Sequence, residues 1–119
     1  MATPAIRVMR IEPPKPTDIR IEEVVFDYED HLYRTPIKFG GVALDRATTL
    51  NVNVTVSTRA GKRARGFGSM PLGNVWAFPS RRLNYEQTLA AMRTLSERIA
   101  RVTAAYQEFG HPIDITLAL

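Results

Sequence analysis

The sequence predicts an α+β fold in which a three-stranded antiparallel sheet is followed by a long amphipathic helix. Three observations lead there. Leu50, Val52, Val54 and Val56 alternate with Asn51, Asn53, Thr55 and Ser57, the period-two pattern of a strand covered on one face. Leu89, Met92, Leu95, Ile99, Val102, Tyr106 and Phe109 recur at spacings of 3, 3, 4, 3, 4 and 3, which draws one apolar stripe along a helix. A chain of 119 residues has room for one hydrophobic core and no second.

The elements follow in order. Residues 1–17 hold four of the eight prolines, and Pro13-Pro14-Lys15-Pro16 can donate a backbone hydrogen bond only at Lys15. This stretch reads as an extended arm before a domain of residues 18–119. Asp18 to Tyr28 is rich in β-branched and aromatic residues and reads as a strand. Its alternation slips at Glu22-Glu23, the mark of a bulge or of a switch of the buried face. From His31 to Arg46, Pro36 and Gly40-Gly41 predict a loop. After the strand at Leu50 to Ser57, Thr58-Arg59-Ala60-Gly61 supplies a turn, and Lys62 to Met70 returns as a third strand. Pro71 to Ser80 reads as a second irregular loop. Asn84 and Gln87 have the spacing of a capping box at the start of the helix, and Gly110 and Pro112 end it. The final Ile115-Thr116-Leu117-Ala118-Leu119 is apolar and reads as a chain that continues into another domain.

Composition narrows the function. Hydrophobic residues at 45% against 24% charged describe a globular rather than a disordered chain. The sequence contains no apolar run near the ~20 residues needed to span a bilayer and no block resembling a secretory signal at its start. There is no cysteine, which excludes disulfides, thiolate metal sites and cysteine nucleophiles in this chain and fits a cytoplasmic address. The net charge of +4 arises wholly after residue 60; Arg59, Lys62, Arg63 and Arg65 form a basic cluster across that boundary and Arg81-Arg82 a second pair. Such a patch suits phosphates or acidic surfaces, although a solvated turn explains it equally well.

Candidate chemistry is sparse. Asp27, Glu29 and His31 share strand parity, an oxygen-plus-imidazole set of the kind that binds divalent metals; a wet strand face is the simpler account. His111, past a helix end, is placed to meet terminal carbonyls. No nucleophile elbow, phosphate loop or zinc-binding helix motif occurs, so the chain presents no catalytic set and no metal site of its own. Arg65-Gly66-Phe67-Gly68 opens like the central strand of an RNA-recognition motif, but Ser69, Met70 and Leu72 stand where stacking aromatics are needed.

The succession of strand, proline-glycine loop, hairpin, second loop and long helix resembles the N-terminal capping domain of the enolase superfamily, in its mandelate racemase and muconate lactonizing enzyme branch. Ile19-Arg20-Ile21-Glu22-Glu23-Val24 looks like the opening strand and Thr35-Pro36-Ile37-Lys38-Phe39-Gly40-Gly41 like the first loop. Leu50 to Gly61 resembles the hairpin arm. Gly66-Phe67-Gly68-Ser69-Met70-Pro71 resembles the glycine-rich segment before the second loop, with Ser69 where glutamate is usual. The resemblance covers residues 18–119. It implies a cap that closes two loops, 32–45 and 70–80, over the mouth of a C-terminal β/α barrel. That barrel, absent from this chain, would carry Mg²⁺ and the acid–base groups for proton abstraction next to a carboxylate. This chain would therefore bind no cofactor and catalyse nothing alone; its expected partners are the barrel, a small acidic substrate and further copies of itself, with no membrane.

Within those loops Tyr33, Lys38, Phe39, Gly40, Met70, Asn74 and Trp76 are the candidate substrate contacts. The large aromatics Tyr33, Phe39, Trp76 and Phe78 fall outside every hydrophobic period, and loops on a rigid scaffold are where binding residues concentrate. Lys38 supplies charge for an acidic ligand. The expected function is substrate enclosure and selection for a dehydratase, racemase or cycloisomerase, a lyase or isomerase. The alternatives are a freestanding basic nucleic-acid-binding module and a small assembly domain built on the helix stripe. Leu50, Val54 and Leu95 are the expected core.

Overall fold

The computed structural model describes residues 13–39 and 41–119. Strands β1 (Ile19–Phe39), β2 (Val42–Thr58) and β3 (Arg63–Pro71) form an antiparallel sheet in the order β1-β2-β3. A single turn, α1 (Asn74–Ala77), leads to the long helix α2 (Tyr85–Ala105) and a terminal helix, α3 (Pro112–Ala118). The predicted α+β architecture is therefore present. Of the proposed arm, Pro13 to Thr17 have no helix or strand; the rest lies outside the described residues.

The sheet differs from expectation at one end. The predicted loop from His31 to Arg46 is instead the continuation of the β1–β2 hairpin. Leu32 pairs with Arg46 and Ile37 with Leu44, so Tyr33-Arg34-Thr35-Pro36 bulge opposite Asp45 alone. Pro36 cannot donate to a ladder, and a bulge at a sheet edge is where a strand tolerates it. Gly41, at φ 82°, closes the tip. The proline and glycine signals thus mark an irregularity and a turn within a hairpin. The slip at Glu22 is the expected bulge, lying between the pairs Ile21–Val56 and Glu23–Thr55. The β2–β3 turn is closed by Thr58 N–H to Lys62 O at 2.8 Å and Gly61 N–H to Thr58 O at 2.9 Å, with Gly61 at φ 85°.

One face of the sheet carries Ile21, Val24, Phe26 and Tyr28 of β1 beside Val56, Val54, Val52 and Leu50 of β2. Helix α2 lies on the β1 side of this face. Its capping box is formed: Asn84 Oδ1 accepts from Gln87 N–H, and Gln87 Oε1 accepts from Asn84 N–H, both at 2.9 Å. The Tyr28 hydroxyl donates to the Arg93 carbonyl at 3.3 Å, and the Arg93 guanidinium stacks over the Tyr28 ring. The buried apolar residues are Ile21, Leu89 and Ile115. Leu50 and Val54 are half-buried. Leu95, expected in the core, is 47% exposed, and its stripe neighbours Ile99 and Val102 are 55% and 51% exposed. Of the stripe, Leu89 is buried and Met92, Tyr106 and Phe109 are half-buried, while the middle members stay exposed.

The helix also ends earlier than its stripe. Gly110 exchanges two 2.9 Å backbone hydrogen bonds with Ile19, which draws residues 106–110 out of the helix as a short edge partner of β1. Phe109 then lies between the guanidinium groups of Arg20 and Arg59, at 4.8 and 4.7 Å. Pro112 opens α3 rather than only closing α2. His111 caps that helix, its Nδ1 accepting from Ile113 N–H at 3.2 Å, instead of meeting carbonyls at the end of α2.

Candidate functional site

The tip of the long hairpin and the segment after β3 converge at one end of the sheet. Asn74, buried at the start of α1, holds them to the helix: its Nδ2 donates to Thr88 Oγ1 at 2.9 Å and to the Tyr85 carbonyl at 3.2 Å. From the other side, Arg46 of β2 lies 4.4 Å over the Tyr85 ring and pairs with Glu86 at 2.6 Å. The Tyr85 hydroxyl donates to the Arg46 carbonyl at 3.4 Å. These contacts anchor both chain segments to the first turn of α2.

Two adjoining concavities result. The larger, about 710 Å³, is lined by Val42, Val75, Trp76, Phe78, Arg81 and Leu83 among others. The smaller, about 220 Å³, is lined by Tyr33, Ile37, Leu44, Arg46, Asn74 and Trp76 among others. Val75, Trp76 and Tyr85 border both, and Trp76 stands 73% exposed between them. The lining is apolar and aromatic with an arginine at each cavity and no carboxylate or imidazole. Burial pushes the Tyr85 phenol above its ordinary pKa, outweighing the Arg46 charge that opposes it, so it stays protonated at neutral pH. Such a surface offers stacking, apolar contact and hydrogen-bond donors to a ligand.

Of the seven candidate contacts, the structure brings three together here. Tyr33 and Trp76 line the concavities, and Asn74 lines the smaller one while its amide is committed to Thr88 and Tyr85. Lys38 pairs with Ala43 at the hairpin tip and lines neither cavity. Met70 stands opposite Leu50 on β3, 73% exposed, and also lines neither. The Phe39 side chain and Gly40 lie outside the described residues. Arg46 and Tyr85 carry no motif and were not among the candidates. Their signal is positional: one precedes the clearest strand and the other follows the helix cap.

Asp27, Glu29 and His31 do share the polar face of β1, but their polar atoms are engaged. Asn51 Nδ2 donates to Asp27 Oδ1 and Glu29 Oε1, both at 2.9 Å, and Ser69 Oγ donates to Asn51 Oδ1 at 2.7 Å. His31 lies 3.3 Å from Glu29. Among the described residues no group of His, Asp and Glu side chains could hold a metal ion. In the basic cluster, Arg59 is committed to Asp18 and Phe109, leaving Lys62, Arg63 and Arg65 exposed at the turn. Among the described residues no helix is long and apolar enough to cross a membrane. Comparison with protein-family models, curated proteins and solved structures finds no match to this chain.

Proposed function

We propose that this chain is a substrate-enclosing cap of the enolase-superfamily type. In this reading it closes over a separate β/α-barrel domain and selects a small acidic substrate, in a cytoplasmic enzyme. The observation that carries the reading is the convergence of the hairpin tip and the 73–85 segment on one aromatic, arginine-bearing concavity. A hairpin end and a short connecting segment that meet around Trp76 suit contact with a ligand and exclusion of water better than bond-making. The half-exposed stripe at Leu95, Ile99 and Val102 supports the same reading, because it supplies apolar surface for a neighbouring domain. In this reading the metal and the proton-transferring groups belong to the partner domain. The reaction class, dehydration, racemisation or cycloisomerisation, rests with that domain too.

The test is steady-state kinetics on the full-length protein, with acid sugars and related carboxylates as substrates. Trp76→Ala is expected to lower kcat/KM by about tenfold, since remote contacts position substrate and exclude water. The melting temperature should hold, because Trp76 is 73% exposed. Unchanged kcat/KM, or a native protein without any catalytic domain, overturns the reading.

A further inference from the structure

We infer that the outer edge of β3 is an interface for a second copy of this chain, joined by antiparallel pairing about Phe67. The inference is independent of the cap reading and rests on β3 alone.

The backbone sets the possibility. Thr58 N–H bonds to Lys62 O at one end of the β2–β3 ladder, and Leu72 N–H bonds to Thr48 O at 2.9 Å at the other. Between them the register runs without a bulge from Ser57–Arg63 to Thr49–Pro71. Hydrogen-bonding direction alternates along an antiparallel pair. Ala64, Gly66, Gly68 and Met70 therefore spend their backbone groups on β2, while Arg63, Arg65, Phe67, Ser69 and Pro71 turn theirs outward. Among the described residues no strand receives them. All nine residues of β3 are exposed, an unusually long and bare edge. The one missing donor, at Pro71, faces outward at the strand's end, where it costs the β2 ladder nothing.

The occupant follows from the edge's self-complementarity. Two copies of β3 related by a twofold axis at Phe67 pair all nine residues; any other register leaves part of the strand unpaired. In that register every outward group meets an outward group. Arg65 stands across from Ser69 of the second copy and Arg63 across from Pro71, so no arginine opposes an arginine. The two Phe67 rings, each 67% exposed in the single chain, become a cross-strand aromatic pair with Arg65 of the other copy on the diagonal. On the opposite face Met70, 73% exposed, reaches over Ala64 and beside the two glycines. Nothing lies within 4 Å of a Cβ placed at Gly66 or Gly68, so there is room for the methionine there. The outcome is a continuous six-stranded sheet with closed twofold symmetry.

The chain has no cysteine, which makes the register directly testable by single cysteine substitutions. Residues directly across a hydrogen-bonded pair have Cα atoms about 5.5 Å apart, within disulfide reach. Phe67→Cys is expected to form a disulfide-linked dimer under mild oxidation. Met70→Cys alone is expected not to, because its two copies sit six positions apart. Sedimentation equilibrium should show a dimer that Ser69→Pro converts to monomer, since proline at 69 deletes an outward-facing backbone donor, whereas Ser69→Ala, which loses only the hydroxyl bond to Asn51, should remain a dimer. If Ser69→Pro unfolds the chain, the pair of cysteine variants still decides. A monomeric wild-type chain, equal crosslinking at 67 and 70, or a dimer that survives a folded Ser69→Pro overturns the proposal. A monomer leaves the cap reading untouched, as a normal kcat/KM in Trp76→Ala leaves this interface.

Discussion

Glu22 shows how one side chain can be tuned without burial. It occupies the bulge that Ile21–Val56 and Glu23–Thr55 bracket, so it turns to the polar face beside Ser57. The Ser57 hydroxyl donates to it, the Arg20 guanidinium lies 3.0 Å away, and both hold its carboxyl below the ordinary value of 4.5. A carboxylate lowered in the folded state stays ionised after its unfolded counterpart has taken a proton. The unfolded chain then binds more protons, and stability rises with pH through that window. Glu22 therefore contributes stability that is present above about pH 4.5 and is lost as pH falls through its lowered folded value. Ser57→Ala should move the Glu22 titration upward in a carboxyl-detected NMR experiment and flatten the acid limb of the melting profile. An unmoved titration would show that Arg20 alone sets it. Asn51 on the same face illustrates the companion rule: buried, it is satisfied by Asp27, Glu29 and Ser69 together.

At the scale of elements, helix α2 is determined mainly at its start. Its capping box, the Asn74–Thr88 bond and the Arg46–Glu86 pair all act on the first turn, while its second half is covered little. Asn84→Ala should therefore cost about 1 kcal/mol and loosen the 73–85 segment with the helix end. Hydrogen exchange should report faster exchange at Gln87 and Thr88 with residues near Thr103 unaffected. Uniform acceleration along the helix would mean that the cap matters only to global stability. The hairpin is the opposite case, since its far end holds together through the pairs Ile37–Leu44 to Phe39–Val42 despite a four-residue bulge. Its alternation was readable at Leu50 to Ser57, but not at 31–46, where proline and paired glycines outweighed the strand-forming residues around them.

For the molecule as a whole, one layer of helix packs on the β1 side of one sheet face. The radius of gyration, 18.4 Å, exceeds the ~13.5 Å of a compact domain of this length. The extended hairpin and the uncovered β3 side account for that in kind. Stability should accordingly be concentrated where α2 meets β1. Leu89→Ala is expected to cost ~2–5 kcal/mol through lost burial and a cavity, whereas Leu95→Ala, at 47% exposure, should cost clearly less in the isolated chain. Denaturant titration of both variants checks this. Equal losses would show that Leu95 is covered in solution by self-association. The same layout explains why both proposed interfaces lie where they do: ligand contacts at the hairpin tip, and a second copy on the bare edge.

Local patterns were sufficient for whatever depends on neighbours in the chain: the β2 strand, the Glu22 bulge, the β2–β3 turn and the Asn84–Gln87 box. Each follows from side-chain period, backbone φ or a hydrogen bond spanning three residues. Tyr33 and Trp76, aromatics outside every period, stand at the concavities rather than in the sheet–helix core. Tertiary structure decided the rest. Arg46 and Tyr85 join the site only because residues 39 apart meet, and Phe109 leaves the helix stripe because Gly110 finds Ile19. Lys38 and Met70 lie away from the cavities although their neighbours in sequence line them. Which members of an apolar stripe are buried depends on how far the sheet beneath extends, and periodicity carries no measure of that distance.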